Sequence, residues 1–239
     1  MANNWFKFKQ FTINQSGSAM KVGTDGVLLG AWASLPERGS DVLDVGTGTG
    51  LLSLMIAQKY LNAKLTAIDI DRVSCIQAKE NFQNSKWKDR ISVEEVSFQD
   101  ICLQSAQKYD LIIVNPPYFS NSLPAADSSR SLARHQKSLS LDELVIGVKK
   151  LLHSQGYFNL ILPSDQKTKC LQLANETGLF PRRILNVRSN PGKEFIRVLI
   201  EFSFNENDLF ENELTIEKDK RHEYSEDYIE LTKEFYLKF

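Results

Sequence analysis

Cysteine is scarce in this 239-residue chain. Cys75, Cys102 and Cys170 are scattered, form no CxxC pair and are odd in number, which argues against a disulfide framework. Long apolar runs are missing too. The stretch from Leu51 to Ala57 is among the longest, far short of a membrane span. The opening MANNWFKFKQF has no apolar centre and no small-residue cleavage site, so it does not read as a secretory signal, and a reducing, cytoplasmic setting is expected. His135, His153 and His222 have no metal-ligand spacing, and no Walker turn or GxSxG is found, so no metal site is expected. A bulk excess of positive charge is also absent, the formal net charge being −1. That balance is uneven: residues 205–239 carry 11 acidic against 5 basic side chains, read here as the solvated face of a helix.

What the chain does have is alternation. From residue 41, short β-branched runs alternate with helical stretches, the pattern of an α/β sheet. Strands are expected at 41–45, 65–70, 91–98, 109–114 and 157–162, with helices at 51–60 and 72–84. Ser140 with Glu143 forms a capping box that opens a helix expected to close at Gln155-Gly156. A further helix should run from about Ser164 to Gly178. Strands near 183–188 and 195–204 flank Asn190-Pro191-Gly192-Lys193 as a hairpin, and a last helix starts at Ser225. The expected fold is a mostly parallel seven-stranded Rossmann-like sheet with helices on both faces and a C-terminal antiparallel hairpin. Residues 1–36 are read as a small N-terminal subdomain, possible RNA contact and cofactor cover, and 37–239 as the catalytic domain.

The chemistry starts at Asp44-Val45-Gly46-Thr47-Gly48-Thr49-Gly50, a glycine turn between a strand and a helix. Glycines there let the backbone approach a ligand and adopt positive φ. A dinucleotide GxGxxG would need glycine at 51, where Leu51 stands, which disfavours a nicotinamide dehydrogenase. Asp69 ends the next strand, where a carboxylate can accept from both hydroxyls of a ribose. Asp100 follows the third strand as a candidate acceptor for an adenine amine, and Ile70 and Ile101 are counted with the same pocket. Alone, each carboxylate reads as a solvated strand end or a helix cap. Together they describe one crevice at the strands' C-terminal edge. The fourth strand runs into Asn115-Pro116-Pro117-Tyr118, where the prolines fix an extended backbone. The Asn115 amide oxygen and the Pro116 carbonyl can then converge on one exocyclic amine, with Tyr118 offering a face for a base.

The GxGxG turn resembles that of class I methyltransferases, which bind S-adenosylmethionine. Asn-Pro-Pro-Tyr is similar to the motif of the amino-methyltransferases, whose targets are adenine N6 in DNA or RNA, guanine N2 in rRNA, and glutamine N5 in release factors. The segments Phe6 to Phe11, Met20 to Gly30, Arg130 to His135 and Tyr228 to Phe239 resemble the bacterial tRNA1(Val) adenine-37 N6-methyltransferase family. That resemblance implies a tRNA substrate, S-adenosylmethionine as cofactor, catalysis at Asn115, Pro116, Pro117 and Tyr118, and Lys21, Thr24 and Asp25 at the cofactor's methionine end. From the residues alone, the last three equally mark the start of a helix. For RNA, the cations singled out are Lys7, Lys9, Arg130, Arg134, His135, Arg182 and Arg183, with Phe6 and Phe8 interleaved as stacking faces. Rival readings are a glutamine-N5 enzyme, which would want a larger N-terminal recognition domain, the guanine-N2 and DNA-adenine enzymes of the same motif, and a catalytically silent cofactor-binding adaptor. No membrane and no obligate protein partner is indicated.

Overall fold

Alternating side chains of one sheet feed two apolar layers. Val42, Leu111, Ile113 and Leu199 face one cluster, while Leu43, Ile112, Val114, Val198 and Ile200 face the other. This period of two is what a strand covered on both sides requires. The computed structural model describes residues 3–17, 21–116, 139–206 and 208–238. A hairpin of β1 (Trp5–Lys7) and β2 (Thr12–Asn14) comes first, then α1 (Thr24–Trp32). The main sheet follows: β3 (Asp41–Val45), α2 (Leu51–Lys59), β4 (Lys64–Asp69), α3 (Arg72–Gln83), β5 (Ile91–Glu95), α4 (Phe98–Gln104) and β6 (Tyr109–Val114). After the undescribed stretch come α5 (Leu141–Leu151), β7 (Leu152–Pro163), α6 (Lys167–Thr177), β8 (Phe180–Arg188), β9 (Arg197–Ser203), β10 (Phe210–Thr215) and α7 (Glu226–Thr232).

The strand order is β10-β8-β9-β7-β6-β3-β4-β5. β9 runs antiparallel to β7 and β8, and the other pairings are parallel. Consequently Val45, Asp69, Val114, Pro163, Arg188 and Thr215 end on one edge, and Arg197 starts β9 on that same edge. The order reverses at β3, which places a ligand crevice above that edge.

Several expectations need correcting. The sheet has eight strands rather than seven. The extra one, β10, takes two acids of the segment read as a helix face: its Glu211 meets Lys167 and its Glu213 meets Arg188, both at 2.5 Å, so these two are partners of a neighbouring helix and strand, while Glu226, Asp227 and Glu230 do stand exposed on α7. The third strand stops at Glu95, because the Ser97 hydroxyl accepts from the Asp100 backbone N–H and starts α4. The capping box at Ser140 is present, but its helix ends at Leu151 rather than at Gly156. Gly156 sits inside β7, where a Cβ would come within 2.9 Å of the Tyr109 carbonyl, beside a shift in register.

Residues 8–33 contribute Phe8, Phe11, Ile13 and the body of α1 to the same apolar cluster as α2, α3 and α7. Phe8 stacks on Phe11 and Tyr236, and Phe6 packs at a tilt against Phe8. Phe8 is 1% exposed, so it is core and offers no face to a base, whereas Phe6 is only partly buried against it.

Candidate active site

β3 delivers the chain into Gly46 to Gly50, and the turn is shaped from below. Asp44 is fully buried and its Oδ2 accepts from the Thr47 hydroxyl (2.7 Å), the Ser53 hydroxyl (2.7 Å) and the Ser53 backbone N–H (3.2 Å). Burial drives its pKa up to about 6, opposed by those hydrogen bonds and assisted by the charge of Asp69. Asp44 therefore braces the turn from beneath. At Gly50 (φ 82°) a Cβ would sit 2.4 Å from the Phe82 ring, so glycine lets α3 close on the turn. At Gly48 (φ 56°) a Cβ would meet nothing within 4 Å. That side of the turn is an open cradle.

Asp69, ending β4, is held by two backbone N–H groups: Gly48 donates to Oδ2 and Asp71 to Oδ1, both at 2.9 Å. Burial raises its pKa, and the Asp71 and Gly48 N–H groups temper the rise. The carboxylate thus ties the second strand end to the turn. Asp100 is exposed and exchanges hydrogen bonds with Ser97 across the first turn of α4. Ile101 is a core residue at 7% exposure, whereas Ile70 is half exposed.

Over the turn lies a cavity of about 420 Å³, within the range of small-molecule sites. It is lined by Lys21 to Gly26, by Gly46 to Thr49, by Asn115 and Pro116, and by Ile196, Arg197 and Ile216. The structure so brings together Lys21, Thr24, Asp25, Gly46, Gly48, Asn115 and Pro116, which are far apart in sequence. Asp44, Gly50, Asp69, Ile70, Asp100 and Ile101 stand outside this lining, the first three bracing or flanking the turn. Pro117, Tyr118, Arg130, Arg134 and His135 fall outside the described residues. Sequence reading missed Ile196, Arg197 and Ile216 as wall residues. Their place depends on β9 and β10 lying at the same edge as Asn115, which no local pattern announces.

Two of the RNA candidates have another task. Glu201, on β9, is 0% exposed and receives Arg183 through Nε (2.9 Å) and Nη2 (2.8 Å), Arg182 through Nη1 (2.6 Å) and the Ser34 hydroxyl (2.5 Å). Arg182 also lies over the Tyr157 ring and Arg183 over Trp32. Burial alone would raise the Glu201 pKa, but the Arg183 and Ser34 hydrogen bonds and the two positive charges outweigh it and hold it low. Arg182 and Arg183 serve a buried anion, a task that their reading as phosphate contacts did not include. Lys7 and Lys9 are exposed, and the Lys9 ammonium donates to the Lys233 carbonyl at 2.5 Å.

Comparison with known proteins bears on the same residues. The family model of the methyltransferase small domain matches residues 22–171, from the cavity's first segment into α6. A Bacteroides thetaiotaomicron protein named tRNA1(Val) (adenine(37)-N6)-methyltransferase is 48% identical over 99% of both chains. One of the same name from Pseudoalteromonas translucida is 44% identical over 98% of both. The chain belongs to this methyltransferase family. Among solved structures, a predicted O-methyltransferase from Agrobacterium tumefaciens superposes with a TM-score of 0.70 at 16% identity, covering 88% of this chain and 96% of that one. A ribosomal protein L11 methylase from Lactobacillus delbrueckii gives 0.55 at 19% identity, covering 80% and 83%. These two establish the class I methyltransferase fold.

Membership of a methyltransferase family implies S-adenosylmethionine as methyl donor, and the open cradle above Gly48, beside a carboxylate fixed on its N–H, leaves room for a ligand to approach the backbone closely. Among the described residues no group of His, Cys, Asp or Glu is arranged to hold a metal ion, and no helix is long and apolar enough to cross a membrane.

Proposed function

We propose that this chain methylates N6 of adenosine 37 in tRNA1(Val), with S-adenosylmethionine held over the glycine turn. The observation that carries the reading is the position of Asn115 and Pro116: they directly follow β6 and line the same cavity as Gly46 and Gly48. The relatives matched along nearly their whole length, named for that tRNA and that adenosine, support the RNA and the position in it. The cofactor, when bound, supplies an electrophilic methyl group on a sulphonium. Asp69 would accept from its ribose, and the first turn of α1 would face its amino-acid end.

The adenine amine is a poor nucleophile because its lone pair is delocalised into the ring. The Asn115 amide oxygen and the Pro116 carbonyl oxygen would each accept one of its hydrogens. That localises the lone pair on nitrogen and aims it, so the chain contributes positioning and preorganised dipoles rather than a general base. Both acceptors gain strength as the nitrogen becomes cationic, which makes the interaction larger in the transition state than in the ground state.

The test is an incubation with methyl-labelled S-adenosylmethionine and, separately, total tRNA, rRNA, DNA and release factor, followed by nucleoside and position mapping. Label in N6-methyladenosine at position 37 of tRNA1(Val) is expected. Label only in rRNA, DNA or protein would contradict the reading.

A further inference from the structure

The helix α1 forms part of the cavity wall and is fastened at both ends. At its C-terminal end the Lys59 ammonium donates to the Ala31 and Ala33 carbonyls, both at 2.6 Å, and Arg183 donates to the Trp32 carbonyl at 3.2 Å. Its N-terminal end has no side-chain cap, since Gly23 stands there. In its first turn the Asp25 Oδ2 accepts from Arg197 Nε at 2.9 Å. Arg197 Nη1 donates to the Ile196 carbonyl at 2.8 Å, which fixes the plane of the guanidinium. The two side chains are 23% and 25% exposed, and both line the cavity. The next residue, Gly26, backs onto the catalytic side chain: a Cβ there would lie 3.8 Å from Asn115 Nδ2 and 2.9 Å from Leu51 Cδ2. A small shift of this turn therefore changes the space in which the Asn115 amide can orient.

We propose that Arg197 is a positioning residue, which acts through Asp25 to hold the first turn of α1 against Leu51 and Asn115. This rests on the proposed function, because the amide so held is the one that orients the amine. It assigns Asp25 a partner within the chain, and it gives the start of β9 a part in the reaction. The charge pair suits the place, because a carboxylate in a first helical turn is favoured by the helix dipole and a neutral substitute would lose both attractions. A planar Arg, pinned at two points, also fixes direction better than a Lys would.

Arg197→Gln, Asp25→Asn, the double variant and Arg197→Lys test this in single-turnover methylation of tRNA, with cofactor and tRNA affinities measured separately. Arg197→Gln should slow the chemical step on the order of tenfold to 100-fold, with tRNA affinity changed by less than about threefold and any loss of cofactor affinity smaller than the loss of rate. Asp25→Asn should cost a similar factor and the double variant no more, since both break one interaction. Arg197→Lys should recover part of the rate. Hydrogen exchange gives a readout independent of any substrate: the Val27 amide, which bonds to the Gly23 carbonyl across the first turn of α1, should exchange faster in Arg197→Gln, while the last turn stays protected. A parental rate in Arg197→Gln, losses that multiply in the double variant, or unchanged exchange in the first turn would each overturn the proposal. A parental protein inactive on tRNA would overturn the proposed function instead, and the exchange measurement would still decide the clasp.

Discussion

Carboxylates with similar sequence settings end up with different tasks, decided by what surrounds each oxygen. Asp44 holds the turn from a fully buried place, Asp69 is fastened to the Gly48 N–H, and Asp100 only exchanges bonds with Ser97. Asp69→Ala should weaken S-adenosylmethionine binding by about 1.5–3 kcal/mol, the worth of hydrogen bonds to a charged acceptor. Calorimetry on the folded variant checks it, and unchanged affinity would remove Asp69 from the site. Asp44 gives a pH prediction. Burial raises its pKa from the ordinary 3.8 to about 6 in the folded chain, so the folded state binds that proton more tightly than the unfolded state. Its stabilising contribution is complete below the lower value and is lost as pH rises through the upper one. Asp44→Asn copies the protonated form, so its stability relative to the parent should rise across that interval. Parallel urea-denaturation curves at the two ends of the interval would contradict this. The glycine turn and Asp69 were legible because strand, turn and acid recur at fixed spacing. The exposed, capping state of Asp100 was not, because its setting depends on where the third strand stops.

At the scale of elements, what could be read was whatever is local. The Ser140–Glu143 box, the Gly178 stop of α6 and the apolar run of β6 announce themselves within a few residues. β10 does not: Leu214 is its one buried residue, and its acids make sense only beside Arg188 and Lys167. The same limit hid the counter-ion of the Arg182-Arg183 pair, because Glu201 looks like an interruption in an apolar strand until β8 lies next to β9. Arg183 also bonds to the end of α1, so one guanidinium joins that helix to the sheet. Arg183→Met should destabilise the fold by the lower part of about 3–5 kcal/mol, since Glu201 stays buried with Arg182 still beside it. Urea denaturation measures the loss. The salt dependence of tRNA binding should be unchanged. Full stability with a flatter log-salt slope would return Arg183 to the RNA surface.

For the whole molecule, strand order is what makes a site from distant segments. The reversal at β3 sets the glycine turn, Asp69, Asn115 and Arg197 on one edge, and the start of α1 joins the turn, Asn115 and Arg197 in walling the cavity. The central claim is that Asn115, at the wall of that cavity, orients the amine for methyl transfer. Asn115→Ala keeps a residue that accepts the extended backbone before Pro116, so fold and cofactor binding should persist. Single-turnover methylation of tRNA1(Val) by this variant, run beside an S-adenosylmethionine titration, tests the claim most directly. The account predicts a rate lower by about 10²–10³-fold with near-parental cofactor affinity, as for the loss of one preorganised hydrogen-bonding group. Near-parental turnover would contradict it.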